Sequence, residues 1–405
     1  MTQRRRRPVA PSGRTGPGEL LIVGHEVGAW SNHRAATARL AAERGWIVTL
    51  LMGGADDPVL LTDGSAPTHG VLPVARGWSG PIDVACAIAQ LRSAMSKVDV
   101  VELVTFKPIV LGLAASRTLR ASDRPRIVAT FAGLGTVLDG ALRARRSAVL
   151  TILRLLLRRR ARVLVENPDD ADALMAARIV DRDDCVVGPG VGLDDGWFRE
   201  APNPPPVPDA RSIRLLYVGR IIASKGVCEL VDAIRILRER GVRAEVVLAG
   251  SLDERNPSAI DRSTVDAWMR DGLVRWLGHV RSLVPVYRTA DIVVLASHRE
   301  GRPRALMEAQ ALGIPVVATD VPGCRQAVDP GRSGLLVPPH DPVALADAIE
   351  SLASDRSRLA ALAAAARPWA ERRFRSSAFL EVWASVVLDG VGSPCEAAER
   401  VSGGG

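Results

Sequence analysis

The chain has 405 residues, of which 47% are hydrophobic and 24% charged, and its formal net charge at pH 7 is +8. This length exceeds one ordinary core, so we expect two domains of similar size. No apolar run approaches the roughly 20 residues that cross a bilayer, which argues against a transmembrane helix. The basic first residues lack the apolar segment of a signal peptide, so a cytoplasmic protein is expected.

Several functional classes are disfavoured by composition. The five cysteines form no Cys-x-x-Cys pair and the six histidines show no paired spacing, so neither disulfides nor a metal is indicated. Only 4% of residues are aromatic, and no nucleic-acid motif is visible. Phosphate loops of the Walker and Gly-x-Gly-x-x-Gly types are absent.

Lysine is rare, occurring only as Lys97, Lys107 and Lys225. A lysine that falls within a motif is therefore a stronger indication of function than it would be in a lysine-rich chain.

The first part of the chain alternates short apolar runs with helical patterns. Residues 1–17 are rich in Arg, Pro and Gly and are predicted to be a disordered tail. Residues 18–200 are predicted to form a Rossmann-like domain, because such alternation is typical of a parallel sheet with helices on both faces. Strands are predicted at 20–24, 47–52, 98–104, 126–131 and 163–166, and helices at 34–45, 82–96 and 109–119.

Residues 143–162 form a predicted helix with an apolar face and eight arginines, most of them near its ends. Such a helix suits an anionic membrane surface. A helix that packs on its own domain and keeps a solvated basic face explains the pattern equally well, and both interpretations stay open.

The second part repeats the scheme after a proline-rich linker at 201–210, which can be neither helix nor central strand. A second Rossmann-like domain is predicted at 211–372, followed by a helix within 373–391 that crosses back to the first domain, and by a disordered tail at 392–405. Two such domains direct the carboxyl ends of their strands towards a shared cleft, where ligands bind. The predicted strands are 214–218, 244–249, 274–277, 291–296, 315–319 and 334–337.

Two clusters in the second part suggest a phosphorylated ligand. Arg220 and Lys225 follow a predicted strand and open a helix, where two cations can neutralise a diphosphate. Glu300 ends another strand, and Pro303 suits the first position of the next helix, whose free N–H groups would face a phosphate. Glu308 can accept two hydrogen bonds from a vicinal diol. Each of these residues also has a non-functional explanation: Arg220 and Lys225 could be ordinary surface cations, and Glu300 could be a carboxylate that interacts favourably with the helix dipole. Such explanations account for single residues but not for the combined Glu-Gly-x-Pro-x-x-x-x-Glu pattern.

The segments 219–226, 300–308 and 321–323 together resemble the nucleotide-binding domain of the retaining, GT-B-type glycosyltransferases of group 1 (family 4). The resemblance implies an enzyme that binds a nucleotide sugar without a metal or other cofactor. It implies catalytic roles for Arg220, Lys225 and Glu300. It implies that the donor is bound by Gly219, Glu300, Gly301, Arg304, Ala305, Leu306 and Glu308.

A narrower resemblance covers the first half of the chain. The segments 32–34, 105–108, 131–135 and 166–170 are similar to the branch of polyprenyl-diphosphate-linked sugar transferases of capsule, O-antigen and N-glycan assembly. It implies a lipid-linked acceptor held by Asn32, His33, Arg34, Lys107 and Gly133. On the residues alone, His33 could equally cap or pack a helix, and Gly133 could simply form a turn.

Two positions depart from the family pattern, and two Asp-x-Asp matches do not indicate a metal site. Gly192 and Gln326 stand where carboxylates are expected, which puts substrate placement in doubt. The Asp-x-Asp matches at 170–172 and 181–183 do not end apolar strands, so they are interpreted as solvated helix and turn residues rather than as metal ligands.

The sequence thus predicts a retaining glycosyltransferase that moves a sugar from a nucleotide donor, UDP being expected, to a lipid-linked acceptor in the assembly of cell-surface polysaccharide. We expect it in the cytoplasm, peripheral on the inner face of the membrane. Two alternatives stay open: a transferase that acts on a soluble acceptor, and a protein that binds a nucleotide sugar without catalysing transfer.

Overall fold

The computed structural model of the chain contains two parallel sheets, one in each half. It describes residues 17–24, 27–53, 68–72, 80–134, 143–158, 160–200, 212–254 and 256–390. The predicted linker at 201–210, residues 1–16 and residues 391–405 lie outside this description, so the predictions made for them stay predictions.

The first sheet has seven strands in the order β3-β2-β1-β4-β5-β6-β7, and every pairing is parallel. The strands are β1 Glu19–Gly24, β2 Ile47–Gly53, β3 Thr68–Leu72, β4 Val100–Val104, β5 Arg126–Phe131, β6 Arg162–Val165 and β7 Cys185–Val187. Among the described residues of this half, the α-helices are α1 Val27–Glu43, α2 Pro81–Met95, α3 Phe106–Arg117, α4 Arg143–Leu157, α5 Pro168–Ala176 and α6 Asp195–Arg199.

The second sheet has six parallel strands in the order β10-β9-β8-β11-β12-β13. The strands are β8 Ser212–Val218, β9 Arg243–Ala249, β10 Arg275–Trp276, β11 Ile292–Leu295, β12 Val316–Thr319 and β13 Gly334–Val337. The α-helices are α7 Val227–Glu239, α8 Arg262–Arg270, α9 Val284–Tyr287, α10 Arg304–Ala311, α11 Cys324–Ala327, α12 Pro342–Ser354, α13 Arg356–Arg373 and α14 Ser376–Val387.

Both sheets are doubly wound, as the sequence predicted. In each, the strand order reverses beside the first strand of that domain, between β1 and β4 and between β8 and β11. Ligands of open α/β sheets bind at this point, outside the carboxyl ends of the strands. All residues of β4, β11 and β12 are buried, because helices cover both faces, and these strands are accordingly apolar except for Glu102 in β4 and Thr319 in β12.

The core of the second domain includes residues that precede the predicted linker. Leu193 and Phe198 pack with the strands β8 and β9 and with Phe374, whereas Val186 belongs to the core of the first domain. The chain therefore enters the second domain between β7 and Leu193.

Helix α14 packs on the first domain, which confirms the predicted return of the chain. Its Trp383 is fully buried, and the indole Nε1–H donates to Oε2 of Glu102 at 3.0 Å. The guanidinium of Arg126 donates to the carbonyls of Val386 and Val387 at 2.8 and 2.6 Å, which satisfies acceptors that the helix end leaves free.

The arginine-rich helix α4 has a packed face and a solvated face. Leu153 and Leu157 are buried, and Arg117 of α3 donates to the carbonyl of Leu155 at 3.4 Å. The side chains of Ile152 and Leu155 remain 45% and 66% exposed. In the described part of the chain, no helix combines the length and apolar character that crossing a membrane requires.

Candidate active site

The predicted donor residues meet where the order of the second sheet reverses. Gly219 and Arg220 follow β8, and Glu300 follows the neighbouring strand β11. The N–H of Gly219 donates to the carbonyl of Ala249 at 3.0 Å, so the loop continues the ladder between β8 and β9 before it turns away. Residues separated by 80 positions in sequence thus reach one edge of one sheet.

Lys225 and Glu300 form an ion pair at this edge, with Nζ and Oε1 2.5 Å apart. The hydroxyl of Ser297 donates to the same Oε1 at 2.7 Å. The two charged side chains are 23% and 10% exposed, so they are screened from water much more than a surface pair. The lysine is therefore held in position before any ligand arrives.

Arg220 has a different acidic partner. Its Nη1 lies 2.7 Å from Oδ2 of Asp253, and its side chain is 43% exposed. The carbonyl of Arg220 accepts a hydrogen bond from the buried hydroxyl of Tyr217 at 2.6 Å. Burial, with a smaller contribution from the charge of Glu300, holds the pKa of Tyr217 well above its ordinary value, so this hydroxyl keeps its proton.

Helix α10 begins one residue later than predicted. Pro303 is the N-cap, with φ −75° and ψ 109°, and Arg304 is the first helical residue. The N–H of Leu306 donates to the carbonyl of Pro303 at 3.2 Å, and the donor-binding role assigned to Leu306 stays a prediction. The first two N–H groups of the helix, those of Arg304 and Ala305, have no acceptor within a helix that starts here.

Glu308 is buried, with 6% of the residue exposed. Its Oε2 accepts from the hydroxyl of Tyr287 at 3.0 Å, and its Oε1 accepts from Nε of Arg304 at 3.1 Å. Burial raises the pKa of Glu308, and the charge of Arg304 and the Tyr287 hydroxyl oppose this shift. Each oxygen keeps a second lone pair, so the carboxylate can still accept from a diol.

The missing carboxylate at Gly192 has a steric explanation. Gly192 has φ +66°, and a Cβ built on it would lie 2.8 Å from Cα of Ser376. A side chain therefore meets both backbone strain and a clash. The carbonyl of Gly192 accepts from Nη1 of Arg304 at 3.1 Å, so this position contacts the candidate site through its backbone.

Loops of the first domain reach the candidate donor site. Gly133, predicted to bind the acceptor, lies against Gly301: a Cβ on Gly133 would be 2.8 Å from Cα of Gly301. The amide of Asn167, which caps α5, donates to the carbonyl of Gly301 at 3.1 Å. Glycine at both positions permits this approach of two backbones.

Asp170 is the centre of the contact between the domains. It is fully buried, and its carboxylate accepts from the N–H of Leu134, from Nδ2 of Asn167 and from Nη2 of Arg299. The interpretation of Asp170 as a solvated helix residue is therefore wrong, because Arg299 covers it from a segment 129 positions away. Sequence spacing gave no sign of this partner.

Lys107 lies near the start of α3 and lines a small cavity with Gly24, Gly53 and Pro108. Burial lowers its pKa. The N-cap residue, Thr105, has φ +74° and ψ 166°, which is strained for a β-branched residue. Such strain is concentrated at functional sites, and it accords with a ligand-binding role for this loop.

The other predicted acceptor residues, Asn32, His33 and Arg34, lie in helix α1. Their side chains lie outside the described part of the chain. The roles assigned to them stay predictions.

Residues 212–355, most of the second domain, match the family described as Glycosyl transferases group 1. The chain is 33% identical over 165 residues to capsular polysaccharide biosynthesis glycosyltransferase CapM of Staphylococcus aureus, covering 41% of this chain and 43% of that protein. It is 35% identical over 256 residues to D-inositol 3-phosphate glycosyltransferase of Saccharomonospora viridis, covering 58% of each. The matched part thus spans about half the length of these curated relatives.

The fold is shared with solved structures over nearly the whole chain. HepE of Anabaena, solved in complex with UDP and glucose, superimposes with a TM-score of 0.71 at 18% identity, covering 92% of this chain and all of that one. The apo form of the lipopolysaccharide outer core galactosyltransferase WaaB gives 0.67 at 15% identity, again covering 92% and 100%. The two-domain architecture is therefore GT-B, as predicted.

Proposed function

We propose that this protein is a retaining glycosyltransferase that moves a sugar from a UDP-linked donor to a lipid-linked acceptor. The observation that carries the proposal is the Lys225–Glu300 ion pair, held beside the start of α10 and at the strand-order reversal. Relatives named as glycosyltransferases support the reaction class, and a fold neighbour solved with UDP supports the choice of donor.

The donor diphosphate would be bound by cations and by backbone dipoles. Lys225 and Arg220 supply two positive charges, and the N–H groups that open α10 add partial positive charge. As the sugar departs, negative charge grows on the diphosphate, and groups already oriented towards it lower the barrier most. Glu308, whose charged form Arg304 favours, would accept hydrogen bonds from the ribose hydroxyls.

Transfer with retention needs no protein nucleophile in this scheme. The bond from the anomeric carbon to the diphosphate oxygen breaks while the acceptor hydroxyl bonds to that carbon on the same face. A diphosphate oxygen takes the hydroxyl proton, so atoms and charge balance without a metal. Glu300, placed by Lys225 and Ser297, would contact the donor sugar.

The lipid-linked acceptor is supported by the surface of the first domain. Helix α4 exposes Ile152 and Leu155 among arginines, and it packs on α3, whose start carries Lys107. A helix of this type lies at a membrane interface with its apolar side chains inserted. The acceptor loop and the membrane-facing helix would then belong to adjacent elements.

The test is an incubation of the purified protein with a panel of UDP-sugars and a polyprenyl-diphosphate-linked sugar, followed by mass spectrometry. A mass gain of one sugar unit on the lipid is expected, with the anomeric configuration of the donor retained. If no combination yields a mass gain while UDP still binds, a binding protein without transferase activity becomes the better assignment.

A soluble acceptor is the second candidate, because several relatives are named D-inositol 3-phosphate glycosyltransferase. The same panel should therefore include a phosphorylated cyclitol in lipid-free buffer. Transfer to that acceptor, together with absent binding to anionic liposomes, would favour this candidate and leave α4 a structural role.

A further inference from the structure

Three potential metal ligands from distant segments meet next to the Lys225 loop. Glu229 lies in the first turn of α7, His298 follows β11, and His340 follows β13. Nε2 of His298 lies 2.6 Å from Oε1 of Glu229, and Nδ1 of His340 lies 3.5 Å from the same oxygen. All three ligand atoms lie within 4.8 Å of one another.

This spacing is close to what a tetrahedral zinc ion requires. Zinc bonds of 2.0–2.2 Å to nitrogen and oxygen hold neighbouring ligand atoms about 3.3 Å apart. The observed separations fall on both sides of that value, so small side-chain rotations suffice. Two imidazoles and one carboxylate form a common three-residue zinc set, which leaves the fourth position for water or a ligand.

Two further observations point to a ligand at this cluster. The second carboxylate oxygen of Glu229, Oε2, is buried and has no hydrogen-bond partner within the part of the chain that the structure describes. A buried acceptor without a donor is costly, and a cation would remove that cost. His340 has φ +61°, a left-handed conformation that is uncommon for residues other than glycine and that recurs at functional sites.

We propose that Glu229, His298 and His340 form a binding site for a transition-metal cation, with Zn²⁺ the best match to the ligand set. The side chain of His340 is 62% exposed, so a cation can enter from solvent. The imidazole rings of His298 and His340 already pack against each other at a centroid distance of 3.9 Å, so the two candidate ligand rings are adjacent.

The bound cation would connect three segments at the candidate donor site: the first turn of α7 and the residues that follow β11 and β13. The N–H of His298 donates to the carbonyl of Ser224 at 3.1 Å, next to Lys225, and Glu300 lies two residues further along. A cation would tie these segments to the turn after β13. It has no part in the proposed transfer step, and the proposal does not depend on transferase activity.

The experiment measures Zn²⁺ binding to untagged full-length protein at neutral pH by calorimetry, without any nucleotide. We expect one Zn²⁺ per chain for the wild type and loss of this binding in His340→Gly and in His298→Ala. His279→Ala is the matched control, since His279 is exposed and lies outside the cluster; it should bind like the wild type. Thermal melts should show that only the wild type and the control gain stability from Zn²⁺.

His340→Gly guards against a folding artefact, because glycine tolerates φ +61° and the variant should fold at least as well as the wild type without metal. Absorption spectra with Co²⁺ identify the ligands: tetrahedral bands without thiolate charge transfer are expected. No binding by the wild type, equal binding by His340→Gly, or a thiolate spectrum would each overturn the proposal.

Discussion

Nη2 of Arg299 lies 2.7 Å from Oδ1 of Asp170, and this ion pair joins the two domains beside the candidate donor site. Asp170 is fully buried, while the side chain of Arg299 is 17% exposed. Because Arg299 directly precedes Glu300, the contact fixes the loop that carries the proposed catalytic carboxylate. The position of Glu300 thus depends on a residue of the other domain.

Replacement of Asp170 by Asn should destabilise the protein by about 3 kcal/mol, since it breaks the buried ion pair with Arg299. The free energy of unfolding from urea titration measures this. Asp172→Asn is the matched control, because Asp172 is exposed on the same helix, and it should change stability by less than about 0.5 kcal/mol. Equal stability of the two variants would contradict a structural role for the ion pair.

Lys225→Ala should lower kcat by about 10²–10³-fold, because it removes a preorganised charge from the departing diphosphate. Lys97→Ala is the control, since Lys97 is exposed and lies in the first domain. Its kcat should equal that of the wild type. Steady-state kinetics with the donor found in the sugar panel provide the measurement, and an unchanged kcat in Lys225→Ala would refute the assigned role.

Glu308→Gln should flatten the dependence of stability on pH. Burial raises the folded-state pKa of Glu308 above its value of 4.5, so the folded protein binds more protons than the unfolded chain. The stability that protonated Glu308 contributes at low pH is therefore lost as the pH rises from the pKa of Glu308 in the unfolded chain to its pKa in the folded protein. Urea titrations across pH 4–8 should show this loss in the wild type and not in the variant.

The same substitution should weaken UDP binding, because Gln offers one acceptor oxygen where the carboxylate has two. Glu245→Gln, at an exposed carboxylate of β9, should alter neither the pH dependence nor the UDP affinity. A Glu308→Gln variant that binds UDP like the wild type would remove Glu308 from the donor site.

Leu155→Asp should reduce binding to vesicles that contain phosphatidylglycerol, since Leu155 is 66% exposed on the basic helix α4. Val343→Asp is the control, as Val343 is 49% exposed on the second domain. Vesicle sedimentation at low and high salt provides the measurement, and wild-type binding should weaken with salt. Equal sedimentation of both variants would assign α4 a purely structural role.

Gly192→Asp should destabilise the protein more than Gly241→Asp, although both positions have positive φ, +66° and +77°. The two sites differ in the space available: a Cβ at Gly192 would meet the backbone of Ser376, whereas a Cβ at Gly241 would meet no other described residue within 4 Å apart from its chain neighbours. A difference of about 2 kcal/mol in unfolding free energy is expected. A stable Gly192→Asp variant would show that the loop can move aside.

The sequence predicted the sheets well because apolar runs and helical periods are local properties. It missed β3 and β7, which lie at the two edges of the first sheet and are short, five and three residues. It also missed the burial of Asp170, since the residue that covers it comes from the other domain. The meeting of Glu229 with His298 and His340 depends in the same way on packing between segments that are distant in sequence.

The two passages of the chain between the domains run side by side. The N–H of Leu193 donates to the carbonyl of Phe374 at 2.6 Å, and the N–H of Ser376 donates back to Leu193 at 2.9 Å. Any opening of the cleft must therefore bend both passages about this one narrow strip. A crosslink that stiffened this strip is therefore expected to restrict opening of the cleft, although it would alter no residue predicted to bind a ligand.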